Sequence, residues 1–225
     1  MTFSLVGKCE RTGMLGAVVT TSSICVGARC PHARQRTGAV MSQNITDPGL
    51  GTALLDALQR GLSATEALAA VVGAAENTEY RQLTVVADDG STAHFTGSRI
   101  LGTNAVSIGS NCVAAGNLLA SARVPAAMVT AFAGHSHAHL AERLLTSLEA
   151  GVASGGEEGP VHSAALLVVD RTTFPLVDLR VDWDDRDPVG MLRRLWSAYE
   201  PQMDDYLRRA LDPESAPSYG VAGDP

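Results

Sequence analysis

A single lysine, Lys8, accompanies sixteen arginines in this 225-residue chain. Chemistry that needs a lysine amine, such as a Schiff base or a serine–lysine pair, therefore has one residue to draw on. Aromatic residues make up only 4%, and no basic cluster carries interleaved aromatics. With a net charge of −7 and a pI near 5.3, the surface would repel nucleic acid, so no nucleic-acid partner is expected. No apolar run approaches the roughly 18–20 residues of a membrane span, so no membrane partner is expected either. The start lacks a basic n-region, an apolar h-region and a cleavage site, which points to a cytoplasmic protein.

Cysteine is sparse too: Cys9, Cys25, Cys30 and Cys112, expected as reduced thiols in that compartment. Cys25-x4-Cys30-x-His32 lacks the spacing of a zinc knuckle and has no second Cys/His pair nearby. His135, His137 and His139 alternate like ligands only in an extended segment; at the start of a helix they point apart. Neither a metal nor a cofactor is expected.

What is present suits a globular chain. Hydrophobic residues are 45% and charged residues 18%, enough to bury a large core. Residues 2–8 and 14–21 are apolar, β-branched runs around Glu10-Arg11-Thr12-Gly13, a hairpin pattern. Four hydroxyls, Thr20 to Ser23, follow, then a loop with Pro31, and a strand resumes at Thr37 to Gln43. Asp47-Pro48 opens a helix that Gly61 stops, and Ser63-Ala64-Thr65-Glu66 is a capping box opening the next. Gln82–Ala87 and Ser91–Thr96 flank the turn Asp88-Asp89-Gly90. Val106–Ile108 and Cys112–Ala114 are shorter strands. Pro125–Phe132 and His139–Ala150 read as helices, the second ending at Gly151. His162–Val169 and Leu176–Val181 are the last strands. Asp187-Pro188 opens a C-terminal helix bent or broken at Pro201. One domain over 1–210 is expected, with a loosely ordered tail over 211–225.

The chemistry starts at Met1-Thr2. A methionine followed by a small residue suits removal by methionine aminopeptidase, which would leave Thr2 with a free α-amine beside its own hydroxyl. An α-amine titrates near pH 7.7–8.0, so it can serve as the general base for that hydroxyl. Lys8 is six residues further along the same strand, about 20 Å away at a strand's rise, and cannot help. Phe3, Leu5 and Val6 are strand formers, so the terminus is expected as a buried strand.

Several ordered segments extend the pattern: Thr2-Phe3-Ser4-Leu5-Val6, Thr12-Gly13-Met14-Leu15-Gly16, Ala33-Arg34 with Thr37-Gly38-Ala39-Val40, Tyr80-Arg81-Gln82-Leu83, Ala115-Gly116-Asn117-Leu118-Leu119, Ser163 to Val169, and Asp178 to Asp182. Together, over about residues 2–210, they resemble the bacterial and archaeal family called domain of unknown function DUF1028, which is grouped with the N-terminal-nucleophile (Ntn) hydrolases. The resemblance implies an α+β fold, a four-layer αββα sandwich of two antiparallel sheets between helical layers. It also implies an amide-bond hydrolase with Thr2 as nucleophile, but names no substrate; the expectation is an amidohydrolase acting on a small amide-like molecule. The alternative is a non-catalytic ligand-binding or assembly protein on the same fold; a homo-oligomer is compatible with either.

Around Thr2, Gly116 and Asn117 are the candidates for stabilising an oxyanion, with a plain Gly-Asn turn as the competing explanation. Ser22 and Ser23 are candidates for orienting the amine or contacting substrate, although strand-end hydroxyls commonly satisfy backbone. Arg29, beside Arg34 and Arg36, could grip a substrate carboxylate, and Gln43-Asn44 leaves a neighbouring strand, with Asn44 as the substrate-binding candidate. Two departures stand out: His162 where many relatives carry Gln, and Gly155-Gly156-Glu157-Glu158-Gly159-Pro160 where an acidic-then-basic glycine loop is common. If that loop borders the pocket, the substrate differs from that of other branches.

Overall fold

The computed structural model describes residues 2–223; Met1, whose removal the sequence suggests, lies outside them. Strand β1 (Thr2–Lys8) turns through Gly13, at φ +79°, into β2 (Leu15–Thr21). An edge strand β3 (Pro31–Arg34) precedes β4 (Gly38–Asn44). The expected loop at Pro31 is thus a strand: Pro31 is its first residue and the strand is at a sheet edge, where a missing N–H costs no ladder bond.

Helix α1 (Pro48–Gln59) is capped by Asp47, whose carboxylate accepts from Gly49 N–H at 2.9 Å. Helix α2 (Ala64–Ala74) opens on the full capping box, with Ser63 and Glu66 each accepting from the other's backbone N–H. Then come β5 (Arg81–Ala87), β6 (Thr92–Thr96), β7 (Ala105–Gly109), β8 (Cys112–Asn117), α3 (Val124–Gly134) and α4 (Leu140–Ala153). Strands β9 (Ser163–Val169) and β10 (Val177–Val181) lead to α5 (Pro188–Tyr199) and, beyond a single turn holding Pro201, α6 (Met203–Leu211).

Gly116 and Asn117 are the last two residues of β8, at a strand end rather than in the competing turn. One helix boundary does fail: α4 does not stop at Gly151 but runs through it. A Cβ at Gly151 would lie 2.8 Å from the Phe3 ring, so the glycine allows the helix to lie close on β1 rather than ending it.

The strands form two antiparallel sheets, ordered β10-β9-β2-β1-β8-β7 and β3-β4-β5-β6. Strand β1 is central in the larger sheet, paired with β2 and β8 over nearly its whole length. Phe3, Leu5, Val18 and Ala114 pack with Met128, Phe132, Leu144, Leu148 and Trp196 of α3, α4 and α5. Val40, Leu83 and Val85 of the smaller sheet pack on Leu50, Leu54, Leu58 and Leu68 of α1 and α2. A third cluster joins the sheets directly: Val6, Ala17, Val19 and Val113 meet Ala39, Met41 and Val86. The fold is α+β, and no helix among the described residues is long and apolar enough to cross a membrane.

Candidate functional site

Side chains alternate faces along a strand, and the third cluster shows which parity faces the other sheet. Counting outward from it, Val6 leads to Ser4 and Thr2, Val19 to Thr21, Val113 and Ala115 to Asn117, Met41 to Gln43, and Val86 and Thr84 to Gln82. All five strands therefore become polar at the same end of the inter-sheet space. Thr2, Ser4, Thr21, Gln43, Gln82 and Asn117 are all buried there.

Buried polar groups are costly unless paired, and the pairing here is directional. Gln82 Nε2 donates to the Gly116 carbonyl at 3.2 Å. A carbonyl can only accept, so Gln82 must present its own Oε1 to its neighbours. That oxygen accepts from Gln43 Nε2 at 2.7 Å and from Asn117 Nδ2 at 3.2 Å. Gln43 Oε1 then accepts from the Ser4 hydroxyl at 2.6 Å. One backbone carbonyl thus orients three amides and a hydroxyl. Asn117 Oδ1 is left buried with no hydrogen-bond partner among the described residues.

A second chain leads to Thr2. Its hydroxyl lies 3.1 Å from that of Thr21, its cross-strand partner, and Thr21 is 3.4 Å from the Ser23 hydroxyl. Ser23 accepts from Arg29 at 2.9 Å. The loop carrying Ser23 and Arg29 is pinned by Ser163, whose hydroxyl donates to the Ser23 carbonyl at 2.6 Å and accepts from Val26 N–H at 3.2 Å. Ser23 is exposed while Thr2 is only 5% exposed, so this chain runs from the surface to the buried hydroxyl. Beside it, burial pushes the Cys30 thiol up, against the pull of the Thr46 hydroxyl and the Arg29 charge.

The end of β1 is covered by the glycine-rich segment. Glu157 pairs with Leu119, two residues beyond Asn117. Gly156 and Leu118 carbonyls accept from Ala120 and Glu158, and His162 N–H donates to the Thr21 carbonyl at 2.8 Å. Residues 156–162 therefore bridge the two strands that flank β1. Leu118 holds a left-handed backbone, φ +49°, a conformation a branched side chain rarely adopts. It is the kink that turns the chain from β8 to this contact. The Glu157 side chain is 6% exposed, and neither carboxylate oxygen has a hydrogen-bond partner among the described residues. Burial raises its pKa to about 8, with the positive charge at the chain's amino terminus and the Ser22 backbone N–H pulling the other way. That amide acts as a nearby dipole, since it does not reach either oxygen in hydrogen-bonding geometry.

Of the residues singled out from sequence, the fold brings together Thr2, Asn117, Gly116, Ser23 and Arg29. Gly116 is paired on both flanks, with Phe3 and Ala105. A Cβ there would lie 2.5 Å from Leu119 Cδ2, so it is the Leu119 side chain that comes close to this glycine. Ser22 is half-buried, and the hydroxyl chain passes through Thr21 and Ser23 instead. Asn44 does not join. Its parity is opposite to that of Gln43, and its amide donates to the Tyr80 carbonyl at 2.8 Å and accepts from Leu101 N–H at 3.3 Å. Arg34 pairs with Asp56 of α1 at 2.9 Å. Lys8, at the far end of β1, bonds the Asp88 carbonyl. His139 caps α4 through Nδ1, and His162 stacks on Trp183 at 4.4 Å. No group of three or more His, Cys, Asp and Glu side chains among the described residues could hold a metal ion, and all four cysteines are free.

Sequence reasoning missed Ser4, Gln82 and Glu157 as members of one site. The signal for the first two was present: a polar residue at the end of a strand, on the parity of its buried aliphatics. Glu157 gave no such signal, because it lies in a glycine-rich loop.

No protein of curated function matches the chain. A crystal structure of protein SPO2555 from Silicibacter pomeroyi, ascribed to DUF1028, superposes with a TM-score of 0.85 at 30% identity, covering 92% of this chain and 90% of that one. Anbu (ancestral beta-subunit) from Yersinia bercovieri shares 10% identity over 90% of this chain and 96% of its own, at a TM-score of 0.41, too weak a likeness to carry an argument. Over residues 2–192 the sequence matches a family of unknown function, DUF1028, and to that family the chain belongs.

Proposed function

We propose that the two sheets and their helices form an Ntn-type four-layer αββα sandwich, and that the protein is an amidohydrolase with Thr2 as nucleophile once Met1 is removed. The observation that carries this is the position of the Thr2 hydroxyl. It is buried at the end of the central strand, at the polar end of the inter-sheet space, and linked through Thr21 and Ser23 to Arg29. An ordinary strand terminus needs no such surroundings.

In this mechanism Thr2 Oγ1 bonds to the carbonyl carbon of a small amide while its proton passes to the α-amine. The C–N bond then breaks and the amine returns that proton to the leaving nitrogen. Water attacks the resulting ester, giving one proton back through the α-amine, and frees the acid and Thr2. Asn117 Nδ2 has one N–H engaged with Gln82 and a second to offer a developing oxyanion. Arg29 supplies the cation for an acidic group on the substrate, at the exposed end of the hydroxyl chain.

Met1 is the switch, because while it remains the Thr2 nitrogen is a peptide amide with no basic lone pair. Intact mass spectrometry of the protein from its natural host tests removal. An amide-substrate screen then compares the Met1-free protein, its Thr2→Ala variant and a Met1-retaining form. Turnover by the first alone is expected. Equal turnover by all three would dismiss Thr2 as nucleophile, and no turnover by any would favour a non-catalytic binding or assembly protein.

A further inference from the structure

The polar end of the inter-sheet space has buried acceptors in excess. Asn117 Oδ1 and both Glu157 oxygens are buried without partners among the described residues, and the orientation of Asn117 is dictated by Gln82 rather than free to reverse. Both residues lie about the same end of β1. Asn117 is the cross-strand partner of Thr2, and Glu157 sits beside Leu119 on the segment that bridges from Leu118 to Thr21 across the end of β1. An isolated buried carboxyl costs several kcal/mol in its charged form, so such a pair of acceptors calls for a donor-rich cation. An α-ammonium carries three N–H donors and one positive charge.

We propose that Glu157 is the counter-charge and positioning residue for the α-amine that Met1 removal frees on Thr2, with Asn117 Oδ1 as its second acceptor. The inference rests on the nucleophile assigned above and adds to it the group that holds the base. Glu157 fixes where the amine lone pair points. It also stabilises the ammonium formed when the amine takes the Thr2 hydroxyl proton, and the proton leaves again with the departing nitrogen. In the Met1-bearing chain burial outweighs the pull of the more distant amino-terminal charge on Glu157; Met1 removal would bring that charge one residue nearer along the chain.

The test uses protein that begins at Thr2, 15N-labelled at threonine, with NMR titration of the Thr2 α-amine. An opposite charge within about 4–6 Å raises an amine's pKa by about one unit or more, so Glu157→Gln should lower the α-amine pKa by about one unit. That is a tenfold change in proton affinity. Where turnover is measurable, the acidic limb of the pH–rate profile should move down with it, and Glu157→Asp should restore part of the shift. An α-amine titrating alike in wild type and Glu157→Gln overturns the proposal.

Should Glu157→Gln fail to fold, the wild-type protein still decides, through the 13C signal of the Glu157 carboxyl. It should titrate lower in the Met1-free protein than in the Met1-bearing one, and equal values in the two would overturn the proposal. Coupled titration without turnover on any amide would sink the hydrolase and leave the ammonium site standing. Turnover without coupling would do the reverse.

Discussion

The two ends of the inter-sheet space are built by the same strands on the same faces, yet they are opposites. At one end Val6, Ala17, Val19, Met41, Val86 and Val113 close against each other as aliphatic core. At the other, a step or two along each strand, Thr2, Ser4, Thr21, Gln43, Gln82 and Asn117 are just as buried. Backbone geometry is common to both, so the difference lies in the side chains alone. The aliphatic end is stabilised by removing apolar surface from water. The polar end gains little net stability from its hydrogen bonds, since each replaces one to water, and it carries acceptors with no partner among the described residues. Selection for stability alone would have extended the aliphatic cluster to the strand ends. The proposed site offers an explanation of polar groups buried at such a cost.

The largest expected effect separates the two ends by readout. Thr2→Ala in the Met1-free protein should lose three or more orders of magnitude of turnover, as removal of a nucleophile does, while its stability changes by about 1 kcal/mol or less. Met41→Ala, at the aliphatic end, should cost roughly 2–5 kcal/mol in urea unfolding with turnover of the folded fraction largely kept. If Thr2→Ala instead behaves like Met41→Ala, the polar end is only an imperfect core.

Next comes pH. The folded pKa of Glu157 is raised to about 8 from an ordinary value of 4.5. Between those values the folded state binds a proton that the unfolded state has released, so stability of the Met1-bearing chain should fall as pH rises through that window. The loss should reach a few kcal/mol at its upper end, and Glu157→Gln should flatten that part of the curve in urea titrations run at several pH values. A curve equally steep in both proteins would show that Glu157 finds a partner.

A smaller change follows from the Gln82 hub. Gln82→Leu strands the Gln43 and Asn117 amides, at a cost of roughly 1–3 kcal/mol. Replacing Gln43 and Gln82 together by leucine should cost less than the sum of the two single changes, because each partner's orphan is removed. Additive costs would show that the amides are not one network. The smallest effect concerns Asn44, whose amide ties together backbone at Tyr80 and Leu101. Asn44 also holds a left-handed φ of +75°, so Asn44→Ala should lower the unfolding free energy by about 1–2 kcal/mol for the lost bonds and that φ, and leave the substrate KM unchanged. A raised KM would return Asn44 to the site.

Local signals carried well from sequence to structure. Turn chemistry at Gly13 and the capping box at Ser63 lie within a few residues of what they organise, so the hairpin of β1 and β2 and the start of α2 were legible. The proposal of Thr2 as nucleophile also starts from two adjacent groups, and the experiments above test it. Gly151 misled because a glycine near the end of a helical pattern looks the same whether it stops the helix or lets it approach Phe3. Asn44 misled because one residue of register separates the inter-sheet face from the helix-covered face, and the sequence does not say which sheet covers which side.

Only the tertiary structure decided that Gln43 meets Gln82 from 39 residues away, that Asn117 stands opposite Thr2, and that Glu157 is buried at the end of β1. The sequence by itself determined the alternation and the residue types. Which strand ends meet, and therefore which polar groups must satisfy one another out of water, depends on sheet order and on loops that bridge strands far apart in the chain. Those are long-range choices set by how the apolar faces are covered, and no local pattern encodes them.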